Sequence, residues 1–106
     1  MPRRKEADPI ATQIGARIRE LREEVGLTQE KLAYEAGLKS KGHLSGIEKG
    51  LVIPTLPTLS LLAERLNVEL LDLVTFPEES DRHNLVNLTR RMKVGTVRRL
   101  VREAQG

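Results

Sequence analysis

Apolar side chains recur at helical spacing along the first three-quarters of the chain. Ile14, Ile18, Leu21 and Val25 fall at i, i+4, i+7 and i+11, a stripe that predicts an amphipathic helix from about Ile10 to Val25. Gly26 follows as a stop. Thr28 has the side chain to cap a second helix, Gln29 to Ala36, with Leu32, Ala33 and Ala36 facing inward. Three residues after that cap stands Lys31, so no capping box forms. Gly37 breaks the helix, and Ser40 caps a third from Lys41 to Lys49, buried through Leu44 and Ile47 and closed by Gly50. After a loop from Leu51 to Pro54, Thr55 caps a fourth helix that tolerates Pro57 in its first turn. Leu59, Leu62, Ala63 and Leu66 form its inner face, Asn67 ends it, and Glu69 to Val74 make a short fifth helix. No stretch alternates apolar and polar residues, and β-branched residues never cluster, so the fold class is all-α.

The two ends read differently. Residues 1–9 are expected to be a flexible basic arm carrying Arg3, Arg4 and Lys5, ahead of a domain over residues 10–76. Residues 77–81 (Pro77-Glu78-Glu79-Ser80-Asp81) have linker composition, and Phe76 is expected to pin this linker to the core. Residues 82–106 form a helical extension with two apolar stripes. Leu85, Leu88 and Met92 mark one; Val97, Leu100, Val101 and Ala104 mark the other; Val94-Gly95-Thr96 is expected to separate them.

Composition narrows the class. A chain of 106 residues holds one domain and an appendage. Cysteine is absent, which excludes disulfides and thiolate metal sites and suits a reducing cytoplasm. No apolar run reaches membrane-span length, and Met1-Pro2-Arg3-Arg4-Lys5 leads into charge where a signal peptide would turn apolar. The expectation is a cytoplasmic protein with no membrane partner. Net charge is only +3, too small to argue for nucleic acid by itself. Its distribution adds more: Lys39, Lys41, His43 and Lys49 face a single acid, Glu48, and residues 82–106 hold seven Arg or Lys against Glu103 alone.

Candidate chemistry is sparse. His43 and His83 have no ligand spacing around them, so no metal site is expected. Gly42-His43-Leu44-Ser45-Gly46 places its serine one position away from a nucleophile elbow, and no strand precedes it. No Walker-type phosphate loop occurs. Neither catalysis nor a cofactor is expected. What remains is a pair of short helices joined by a glycine turn, the second open on one side and rimmed with Lys and His, a shape suited to the major groove. Such a pair also occurs in helical proteins with no DNA role, and spacing alone does not choose between these readings.

Residues 14–74 carry the signal that does. Ile14-Gly15-Ala16-Arg17-Ile18-Arg19-Glu20-Leu21-Arg22 is followed by Gly26-Leu27-Thr28-Gln29-Glu30-Lys31-Leu32-Ala33 and Ala36-Gly37-Leu38. Leu44-Ser45-Gly46-Ile47-Glu48-Lys49-Gly50, Pro54-Thr55-Leu56 and Leu66-Asn67-Val68 complete the series. In this order they resemble the phage-repressor and Cro-like, or xenobiotic response element, family of bacterial transcriptional regulators. The resemblance implies a five-helix lambda-repressor-like domain whose third helix reads DNA, here followed by the two-helix extension. It implies that Gln29 bonds a phosphate and steadies the reading helix, and that Lys41, Gly42 and Gly46 stand where base edges are usually touched. Two of those three are glycine, a departure from the family that leaves direct readout to Lys41, His43 and Ser45 or to close backbone approach. An extra residue near Lys39 lengthens the turn and leaves the register of the third helix open by one. The DNA-binding set is therefore Gln29, Lys39, Ser40, Lys41, Gly42, His43, Ser45, Gly46 and Lys49. Arg22 and Glu48 match a family ion pair joining the first helix to the end of the third, a structural role.

The function expected is sequence-specific transcriptional regulation by a dimer on double-stranded operator DNA, with residues 82–106 a dimerisation element or the site of a protein partner. Two alternatives stay open: an antitoxin-type DNA-binding module with a toxin partner, and a protein-binding adaptor whose helix-turn-helix has lost DNA recognition.

Overall fold

The computed structural model describes residues 6–106. The basic triplet Arg3-Arg4-Lys5 lies outside them. The described residues form seven helices and no strand: α1 (Pro9–Glu24), α2 (Gln29–Glu35), α3 (Lys41–Glu48), α4 (Leu56–Arg65), α5 (Leu70–Leu73), α6 (Asp81–Thr89) and α7 (Val94–Gln105). Two compact units divide the chain, the first running to Val74 and the second from Thr75 to Gly106. None of the helices among the described residues is long and apolar enough to cross a membrane.

Each helix of the first unit starts where its cap dictates. Asp8 accepts hydrogen bonds from the amides of Ile10 and Ala11, both at 3.1 Å, and Pro9 takes the first helical position, whose amide would have no partner in any case. The basic arm expected over residues 1–9 therefore ends short of Asp8. That residue is a cap, and its own amide donates to the Gly50 carbonyl at 3.2 Å. Thr28 caps α2 and Ser40 caps α3 through the amides of Lys31 and His43 at 3.1 and 3.2 Å. The Ser40 cap settles the register of α3, with Lys41 first and His43 third. Thr55 caps α4, with Pro57 in its first turn.

The core gathers Ile18 and Leu21 of α1, Leu32 and Ala33 of α2, Leu44 and Ile47 of α3, Leu59, Leu62 and Ala63 of α4, and Leu73 of α5. Every one of these is buried, and burying a Leu or Ile side chain fully stabilises by about 1.5–3 kcal/mol. Val25 departs from the expected stripe. It follows the last residue of α1 as its C-cap and is 49% exposed.

Close approach sets the angle of α3 against α1. A Cβ on Gly15 would run into the main-chain carbonyl of Ile47 and come within 2.6 Å of that of Glu48. Gly50, at φ +76°, turns the chain out of α3, and a Cβ there would lie 2.7 Å from the Cα of Thr12. At the far end of α1 the buried Arg17 donates from Nε to the Asp72 carbonyl of α5 at 2.9 Å and from Nη1 to Glu20 at 2.6 Å.

The second unit also differs from expectation. The phenyl ring of Phe76 stacks on the His83 imidazole, centroids 5.8 Å apart, and its amide donates to His83 Nδ1 at 2.9 Å. The partner identified for Phe76 is thus His83 of the extension, where the core of the first domain was expected. Residues 77–79 form a turn closed by a bond from the Glu79 amide to the Phe76 carbonyl at 2.8 Å, and Asp81, expected in the linker, opens α6. The break between the last two helices falls at Arg90–Lys93, ahead of Val94-Gly95-Thr96, which are the first turn of α7. Glycine is tolerated there because a first turn has few intrahelical bonds to lose.

Replacing Gly15 by Ala is expected to destabilise the protein by about 1–3 kcal/mol, because the clash is with backbone that cannot rotate away. Urea denaturation measures this; an unchanged midpoint contradicts the close approach of α1 to α3.

Candidate nucleic-acid interface

The helix-turn-helix is assembled around one carboxylate. Glu48, in the last turn of α3, receives Arg22 Nε at 2.8 Å on one oxygen and Arg22 Nη2 at 3.1 Å on the other. The second oxygen also accepts from Gln29 Nε2 at 2.8 Å. Arg22 in turn donates from Nη1 to the Leu27 carbonyl at 2.7 Å, in the connection between α1 and α2. Its side chain is 11% exposed and that of Glu48 only 3%. The hydrogen bond to Glu48 holds the Arg22 guanidinium pKa above its ordinary value, outweighing the burial that works the other way. One ion pair thus ties together α1, the α1–α2 connection, the start of α2 and the end of α3. Gly37, at φ +74°, makes the turn between α2 and α3.

With Leu44, Ile47 and Glu48 buried, α3 shows the opposite side to solvent. Lys41, Gly42 and Lys49 are exposed there and Ser45 is half-buried. Beside this face an open cleft of about 610 Å³ is lined by Arg19, Arg22, Thr28, Gln29, Glu30, Lys41, Ser45 and Lys49. With Arg22 committed to Glu48, the cleft holds Arg19, Lys41 and Lys49 against Glu30, a surface suited to a polyanion. A second hollow of about 510 Å³ includes Thr28, Lys31, Tyr34, Lys39, Ser40 and Lys41 in its lining.

The structure thus brings Gln29, Lys41, Ser45 and Lys49 to one cleft, and Lys39, Ser40 and Lys41 to the other. Gly46 leaves the set of outward-facing candidates. It is buried, and its carbonyl accepts from the amides of Leu51 at 2.9 Å and Val52 at 3.1 Å, so it faces the chain leaving α3. His43 is half-buried, and its Nε2 is enclosed with no hydrogen-bond partner, so that nitrogen does not face solvent. Gln29 has the donor half of its amide committed to Glu48. Sequence reasoning missed Arg19. The usable signal was its spacing, one turn before Arg22, whose partner lies in α3.

A helix-turn-helix family model matches residues 18–73, and the chain belongs to that family, in its xenobiotic response element branch. It is a transcriptional regulator with a helix-turn-helix DNA-binding fold. Among curated relatives, an uncharacterised helix-turn-helix-type transcriptional regulator of Sinorhizobium fredii is 40% identical over 67 residues, which is 63% of this chain and 86% of that protein. Among solved structures, the restriction-modification controller protein C.AhdI from Aeromonas hydrophila is 36% identical with a TM-score of 0.58, over 59% of this chain and 94% of that one. A complex of the SinR and SinI proteins gives a TM-score of 0.63 at 28% identity, over 87% of this chain and 94% of the matched one.

Replacing Glu48 by Ala leaves the Arg22 charge buried without its partner and is expected to cost about 3–5 kcal/mol. Replacing both Arg22 and Glu48 by Met should cost less than that single change. Thermal unfolding of the three proteins tests this; a double variant no better than the Glu48→Ala single variant contradicts a paired charge.

Proposed function

We propose that this regulator binds a specific operator in double-stranded DNA as a dimer, α3 entering the major groove. The observation that carries the reading is the exposed side of α3, where Lys41, Ser45 and Lys49 stand beside Arg19 and Gln29 in one cationic cleft. Arg19 and Lys49 supply charge toward phosphates, and Lys41, in the first turn of α3, reads a base edge. The glutamine amide holds the end of α3 through Glu48 while its oxygen is left for the nucleic acid.

One such domain reads only a few base pairs, so a dimer presenting two reading helices about 34 Å apart supplies the specificity an operator requires. Helices α6 and α7 have no buried residue, and Leu85, Leu88, Val94 and Val101 are 49–71% exposed. Helices this short and amphipathic need a partner surface to be stable. We assign that role to a second copy of the chain. The likeness to a SinR–SinI complex supports a second reading, in which the same surface takes a different protein.

DNA affinity is expected to fall with salt at about 0.9 log units per neutralised phosphate for each log unit of salt. Lys41→Ala should weaken the preferred site by about 1–3 kcal/mol and relax base choice at one position. Fluorescence anisotropy with duplexes selected from a random pool checks both. A flat salt response, or Lys41→Ala keeping full affinity and the same selected motif, overturns the reading.

Leu88→Glu combined with Val101→Glu is expected to turn a dimer into monomers by light scattering and to abolish tight operator binding. If the double variant stays dimeric, the second unit is not the clasp.

A further inference from the structure

Gly42 is unlike the glycines that the fold requires. Gly15 and Gly50 each have main-chain atoms where a Cβ would go, and Gly26 and Gly37 have positive φ. Gly42 has neither constraint. A Cβ there meets only the Ser40 hydroxyl oxygen, at 3.6 Å, an ordinary van der Waals distance, and the backbone is helical. Alanine is a far better helix former than glycine. Nothing inside the protein therefore favours glycine at this exposed position.

The surroundings of Gly42 give it an external reason. At 3.6 residues per turn, Lys41, Gly42, Ser45 and Lys49 share an arc of about 100° on α3. Long cationic side chains stand at the two ends of that arc, and the residues between them are Gly42 and Ser45, so the face is low in the middle. Gly42 itself is open to solvent, whereas Gly46, the other glycine of α3, is turned inward.

We propose that Gly42 is a specificity-determining position, where the α3 main chain itself comes into van der Waals contact with the edge of a base pair. Lys41 and Lys49 reach past that contact to either side. The inference rests on the DNA-binding reading above and deepens it: at this step of the operator, shape exclusion replaces a side-chain hydrogen bond. A Cβ at residue 42 would hold the helix away from the base pair without removing any charge.

The test uses the full chain and the duplex that the wild type selects from a random pool. Gly42→Ala is expected to keep or raise the melting temperature while losing about tenfold in affinity, on the scale of one disturbed base contact. Gly42→Leu should lose more. The slope of affinity against salt should stay as in the wild type, because no phosphate contact is lost. Gly95→Ala is the control: Gly95 is also helical with open space around its would-be Cβ, but lies in α7, and its replacement should leave affinity unchanged. If Gly42→Ala binds the selected duplex as tightly as the wild type, this inference fails and the DNA reading stands. The inference also fails if Gly42→Ala melts lower, or if Gly95→Ala loses as much affinity. A wild-type chain that selects no duplex overturns both.

Discussion

Glu48 is placed where a carboxylate is costly, almost wholly enclosed at the end of the helix that carries the DNA-facing surface. It is tolerated because both oxygens are satisfied, by two nitrogens of Arg22 and the amide of Gln29. The arrangement makes α3 dependent on residues distant in sequence. Arg22 belongs to α1, and its remaining donor holds the Leu27 carbonyl in the connection to α2. Moving α3 along its axis or rotating it would strip partners from a buried charge. An ion pair of this kind contributes little net stability and a great deal of orientation, which is what a reading helix needs.

The same logic recurs at the other end of α1. The buried Arg17 is positioned to complement the carbonyl end of α5, while Asp72 of α5 accepts the Glu69 amide at 2.9 Å and so holds the start of the same short helix. A helix of four residues has little stability of its own. It persists because Leu73 is buried in the core and its polar ends are held from α1 and from within. On the outer side of the domain, Arg65 of α4 pairs with Glu35 of α2 at 2.5 Å, a half-exposed contact of small energetic weight. The first unit is thus fixed by apolar burial in the middle and by two buried arginines at its edges.

The second unit is built differently. Its helices bury no residue, and its identified internal ties are the Phe76–His83 stack and the Ser80 cap. The seven cations of residues 82–106 lie among apolar stripes that are at least half open. Such a composition belongs to a surface that meets another macromolecule, in contrast to the closed core of the first unit.

How far the amino-acid order alone reached follows from how local each determinant is. The caps at Thr28, Ser40 and Thr55, the stops at Gly26, Gly37 and Asn67, and the inward faces of α2, α3 and α4 depend on neighbours within four residues, and all were legible. So was the pairing of Arg22 with Glu48, through the order of motifs that resembles the family. Boundaries that depend on a weak signal shifted: Asp8 became a cap, and the break before α7 moved ahead of Val94 because a first-turn glycine does not stop a helix. Tertiary packing decided the rest. The inward placement of Gly46, the enclosure of His43 Nε2, the commitment of the Gln29 amide to Glu48 and the arrival of Arg19 in the cleft all depend on how α1 crosses α3. That crossing is set by atoms of Gly15, Ile47 and Glu48 far apart in the chain, and no periodicity along a single helix encodes it.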